Sequence, residues 1–207
     1  MNPWEAASVG LGLGLAAGFA PGPLSTLVLS LSLRHGAREG ILAAMAPLVT
    51  DTPVVIASLF ALFSLSRAGW VLGLLSLAGG LFAAWLGVGG MRYAGGRDEP
   101  SAPAPRSLRQ GITANFLSPH PYVFWLTIGA PLVVGAWQKR PLGAVLFLLL
   151  FYVSLVGSKV AMALAAGRTR ALVSGRTRVA VVRVLGLLLL AFAILFIRDG
   201  LRRLSVI

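Results

Sequence analysis

Two short proline motifs interrupt apolar stretches of this chain: Ala20-Pro21-Gly22-Pro23 in the first and Ser118-Pro119-His120-Pro121 in the fourth. Proline inside a helix removes a backbone donor, and its ring clashes with the preceding turn. In lipid, backbone groups freed in this way persist only where they are buried in protein or line a polar cavity. Breaks at corresponding places in two halves of a membrane chain point to a transporter's binding site. After the first break, Gly22 and the hydroxyls of Ser25 and Thr26 supply a new helix start. Asp51 is the acid expected deepest in the apolar runs, in Thr50-Asp51-Thr52-Pro53, whose proline predicts a third break. Lys159 is the one base inside an apolar run. Intramembrane charges are costly and carry a partner or a function, and these two are candidates to pair.

The substrate-binding set expected from these residues is Pro21, Gly22, Pro23, Ser25, Thr26, Asp51, Asn115, Ser118, Pro119, His120, Pro121 and Lys159. Asp51 and His120 are the candidates for a coupling proton or ion, because histidine titrates near neutral pH. Structural readings compete with each of these. The prolines can simply kink a helix, Lys159 can snorkel to the interface, and Asn115 can serve a helix–helix hydrogen bond. His120 can satisfy backbone freed by its flanking prolines, and Asp51 can be half of a structural ion pair.

The elements that must position these groups follow from composition. The 207 residues are 57% hydrophobic and 12% charged, against about 25% charged in an ordinary soluble domain. The chain therefore reads as an all-α, multi-pass integral membrane protein. There are no cysteines, which excludes disulfides, thiol redox chemistry and thiolate metal sites. No cofactor and no resident metal is expected. The net charge of +12 does not point to nucleic acid, because the arginines sit in short loops where they face anionic lipid head groups.

Six apolar segments, roughly 5–33, 40–65, 70–94, 111–135, 142–166 and 179–197, are each long enough for a span of about 20 residues. The first lacks the basic n-region of a signal peptide and is expected to be a retained span. Residues 95–110, rich in Pro, Ala, Gly and charge, read as a polar cytoplasmic linker. The linker separates two three-helix repeats, 1–94 and 111–207. Three is odd, so the halves would be inverted, each with a proline-broken first helix. Eleven Lys and Arg residues fall in loops one, three and five, against six on the other side. That bias places those loops in the cytoplasm and both termini outside.

A rise of about 1.5 Å per residue puts Pro23 and Pro119 at one depth, near the middle of a core about 30 Å thick. Gly10, Gly12, Gly14 and Gly18 in span one, and Gly79, Gly80, Gly87, Gly89 and Gly90 in span three, read as close-packing surfaces. Trp4, Trp70 and Trp137 read as interface anchors.

The residues resemble the LysE/RhtB family of amino-acid exporters. The first half carries Ala20-Pro21-Gly22-Pro23, then Ser32-Leu33-Arg34-His35-Gly36, Gly40 and Asp51. Span three carries Ala78-Gly79-Gly80 and Trp85-Leu86-Gly87, and span four Asn115-Phe116-Leu117-Ser118-Pro119-His120. Two positions depart from the family pattern: Leu24 stands where Asn commonly follows P-G-P, and Ser118-Pro119-His120 stands where the family has N-P-K. The resemblance implies an exporter, not an enzyme, moving amino acids or related small zwitterions by proton or cation antiport with alternating access. It implies residence in a prokaryotic cytoplasmic membrane. A single 207-residue chain is small for alternating access, which makes a homodimer a candidate assembly. The alternatives are an exporter of metal or other small ions, or of a lipid-linked or hydrophobic molecule.

Overall fold

The computed structural model describes residues 2–61, 69–93, 106–172 and 175–204. Arg67, Arg97, most of the linker and the side chain of Trp70 lie outside this description. The described residues are all-α, with several apolar helices, as expected of a membrane protein.

Helix α1 (Pro3–Phe19) begins with a capping box. Asn2 Oδ1 accepts from the Glu5 amide at 2.8 Å, and Glu5 Oε2 accepts from the Asn2 amide at 2.9 Å. It stops where Pro21 and Pro23 cannot continue it. Ala20 turns extended, as a residue before proline must. Helix α2 (Pro23–His35) then restarts at an angle of 61° to α1. Gly36, at φ 103°, ends α2 in a conformation that favours glycine, and α3 (Ala37–Ala44) follows.

Helix α4 (Ala46–Ala61) runs through Pro53 without interruption, so the third break expected there is absent. The discontinuity in this span is at Met45. Pro47 has no N–H to return to the Ala43 carbonyl, and the turn is closed instead by the Leu48 amide donating to Met45 O at 3.1 Å.

Helix α5 (Gly69–Met91) precedes the linker. The expected span 111–135 is a chain of short pieces: α6 (Ser107–Phe116), α7 (Pro119–Phe124), a π-helical stretch at Trp125–Gly129, and α8 (Ala130–Lys139). Helices α9 (Pro141–Leu172) and α10 (Gly175–Arg203) are longer than their expected apolar cores. Arg168, Arg176, Arg178 and Arg183 therefore ride on helical extensions and not in an open loop. By length and composition, Ala37–Leu59, Pro141–Thr169 and Gly175–Arg203 can each cross a membrane, and the bent α1/α2 pair counts as a fourth if its two arms form one broken span. Trp4 and Trp137, 79% and 57% exposed, stand near helix ends.

Two helix pairs dominate the packing, α1 with α9 and α5 with α10. In the first, Gly10, Gly14 and Gly18 recur every four residues and so share one face. A Cβ on Gly10 would strike the Phe147 carbonyl, one on Gly14 would strike Ser154 Oγ and the Phe151 carbonyl, and one on Gly18 would lie 2.6 Å from Ser158 Cβ. Gly12 and Gly89, expected among the packing glycines, instead face open space, because they lie off the helix faces that meet a partner. Ser154 Oγ lies 3.1 Å from the Leu11 carbonyl across the interface, but its one proton has a shorter acceptor in its own helix, the Leu150 carbonyl at 2.6 Å. In the second pair, Gly87 and Gly90 lie directly against Gly186. Asp199 there accepts from Ser76 Oγ at 2.9 Å and from Arg203 Nε at 2.7 Å. Small residues at such crossings let backbones approach closely.

Candidate functional site

The two breaks meet. A single pocket of about 630 Å³, counting its open mouth, is lined by Pro21, Gly22, Pro23 and Ser25 from the first break. Ser118, His120 and Pro121 line it from the second. Asp51 from α4, Asn115 from α6 and Lys159 from α9 complete its polar lining. Of the twelve residues expected from sequence, Thr26 and Pro119 are not on the lining. Both are buried beside it, and Thr26 Oγ1 donates to the Gly22 carbonyl at 2.9 Å.

The first break is held from α9. Lys159 is 5% exposed, and its Nζ donates to the Gly18 carbonyl at 3.1 Å and to Ser25 Oγ at 2.9 Å. Ser25 Oγ donates in turn to the Ala20 carbonyl at 2.9 Å. Carbonyls at a helix C-terminus lack intrahelical donors and carry partial negative charge, so an ammonium suits this position. Lys159 points into the protein and does not snorkel. On the other side of the break, the amides of Leu24 and Ser25 open α2 with no hydrogen-bond acceptor among the described residues.

Asp51 has separate partners. Asn115 Nδ2 donates to Asp51 Oδ1 at 2.8 Å and to Thr50 Oγ1 at 2.6 Å. Thr50 Oγ1 lies 3.2 Å from Asp51 Oδ1 and 3.0 Å from the Ala46 carbonyl, sharing its one proton between them. Asn115 thus does make a helix–helix hydrogen bond, and its partner is the buried acid. Asp51 and Lys159 share the pocket but form no ion pair.

The second break is chemically poorer. Pro119 and Pro121 have no N–H, so the first turn of α7 offers the His120 amide, and Ser118 Oγ already caps it at 3.4 Å. Upstream, the Phe116 carbonyl accepts from Tyr122 Oη at 2.8 Å. The exposed His120 side chain reaches the pocket wall.

Leu24, Phe124, Trp125, Phe151 and Leu155 give the pocket an apolar wall. The Phe124 and Phe151 rings stack at 5.1 Å, and Trp125, fully buried, meets Phe151 edge-on at 5.3 Å. Trp125 opens the π-helical stretch. Pro131 removes one helical donor, and the Ala130 amide closes a wider turn on the Trp125 carbonyl. Gly129 makes room for the indole, since a Cβ there would collide with the ring. These aromatic residues, Pro47 and Thr50 were not in the expected set. In an apolar run nothing in residue type separates a pocket wall from a lipid-facing ring.

Residues 15–200 match the family model described as LysE type translocator. The chain belongs to the LysE type translocator family. Searches of curated proteins and of solved structures gave no match. As a LysE type translocator, the protein is a membrane exporter of small molecules.

Proposed function

We propose that this translocator is a secondary-active exporter of amino acids or closely related small zwitterions. The observation that carries the reading is one pocket holding a buried ammonium and a buried carboxylate that do not pair with each other. In the apolar interior, two unpaired opposite charges are costly to keep apart. A cargo carrying both charges relieves that cost at both ends. Its carboxylate meets Lys159 and the free amides opening α2, where the helix dipole favours an anion. Its ammonium meets Asp51 and the Asn115 side-chain oxygen. Asp51 and His120 are the groups for proton or cation exchange, which drives export by antiport.

The six spans form two inverted three-helix repeats in this reading. It is supported by the two broken helices facing one pocket and by the partnership of α5, third in its half, with α10, third in the other. One bundle moves against the other to alternate access, in a prokaryotic cytoplasmic membrane with both termini outside and with a homodimer as a plausible assembly. A metal cargo finds less support: among the described residues no three His, Cys, Asp or Glu side chains group together.

The test is counterflow of labelled amino acids in proteoliposomes, with and without a pH gradient, comparing wild type with Asp51→Asn. Gradient-sensitive movement of an amino acid that stops in the variant supports the reading. No movement of any amino acid through folded, reconstituted protein overturns it.

A further inference from the structure

A second cavity, of about 810 Å³ counting its open side, lies away from the transport pocket, between α2, α5, α6 and α10. One end is basic and polar: Arg34 at the end of α2, Arg92 just past α5, and Gln110 in the first turn of α6. The Arg34 guanidinium stacks on the Tyr93 ring, 5.0 Å from its centroid, and its Nε is buried with no hydrogen-bond acceptor among the described residues. Arginine is suited to bidentate recognition of phosphate. The other end is apolar and runs onto the outside of α5, where Trp85 is 62% exposed. Gly89 lines the cavity, and a Cβ there would meet nothing within 4 Å.

The geometry points to this cleft as a binding site for one anionic phospholipid, its phosphate between Arg34 and Arg92 and an acyl chain along the Trp85 wall. Two observations select a lipid over a soluble anion. The charged end is continuous with an apolar end, which opens where Leu81, Trp85 and Val88 of the apolar helix α5 are exposed. Basic clefts between transmembrane helices hold anionic head groups in this way.

The test uses the full chain, purified in detergent and delipidated. Phosphatidylglycerol, phosphatidylcholine or glycerol 1-phosphate is added, with bound lipid counted by native mass spectrometry and Tm followed by thermal unfolding. Wild type is expected to retain one phosphatidylglycerol and to gain Tm from it, with phosphatidylcholine and glycerol 1-phosphate giving little. The Arg34→Gln/Arg92→Gln variant is expected to bind phosphatidylglycerol about tenfold or more weakly. Gly89→Leu fills the cleft without touching a charge, and it keeps the test decisive if loss of the Arg34–Tyr93 stack prevents the double variant from folding. It is expected to lose the lipid while keeping its lipid-free Tm. Equal retention of phosphatidylcholine, undiminished phosphatidylglycerol binding in Gly89→Leu, or full stabilisation by glycerol 1-phosphate would each overturn the proposal. None of these readouts requires transport, so failure here is distinct from failure of the exporter reading.

Discussion

Lys159 on α9 and Gly18 at the end of α1 are joined by a 3.1 Å hydrogen bond from ammonium to carbonyl. The link ties the break in the first span to a helix 141 positions away in sequence. Replacing Lys159 by Met removes the donor to Gly18 and to Ser25. Unsatisfied buried groups cost about 1–3 kcal/mol, so Lys159→Met is expected to lower stability by that order. It is also expected to weaken carboxylate-bearing cargo about tenfold or more. Thermal unfolding and substrate-protection assays on the same preparation separate the two effects.

Asp51→Asn keeps an acceptor for the Asn115 amide and for Thr50. It is expected to fold with a Tm within a few degrees of wild type and to lose coupled transport. Asp51→Leu strands the Asn115 amide as a buried donor and is expected to cost about 1–3 kcal/mol as well. If the Asn variant is as unstable as the Leu variant, the carboxylate charge itself is structural.

The α1–α9 contact makes a sharp contrast between neighbouring glycines. Gly14→Ala pushes a methyl into the Phe151 carbonyl and Ser154 Oγ. It is expected to cost about 1–3 kcal/mol, the usual range for overpacking. Gly12→Ala meets open space and is expected to be neutral or slightly stabilising, since alanine is the better helix former. Equal Tm for both variants would contradict the interface.

Pro53 sits inside a continuous α4. Pro53→Ala is therefore expected to preserve both fold and transport, whereas Pro23→Ala, at a real break, is expected to impair transport. Side-by-side counterflow measurements on the two variants decide this.

The two broken helices, the acid and the base were legible in the sequence because proline and buried charge are rare in apolar runs and each has a strong local cause. The glycine-rich helices were legible from composition, but which glycines pack was not: Gly12 and Gly89 stand in the same runs and face open space. Other features depended on tertiary placement. Pro47, not Pro53, interrupts the second span, since the outcome depends on which carbonyl each proline abandons and what replaces its donor. Trp125 and Phe151 look in sequence like any rings in a lipid-facing run, and only the π-helical turn and Gly129 bring the indole inside. Lys159 could have reached the interface along its own helix. Its direction was set by the unsatisfied end of α1, which sequence spacing does not reveal.

The two breaks, similar in position, differ in what they offer: the α2 start has free amides and a neighbouring ammonium, while Pro119 and Pro121 leave the α7 start with one capped amide. Among the described residues, the pocket therefore offers free backbone amides at one end only. A molecule with two carboxylates would have to leave its second one beside Asp51, unscreened and repelled. For the zwitterionic cargo proposed above, dicarboxylates of the same size are expected to be rejected on charge, a discrimination built by two prolines through the amides they remove.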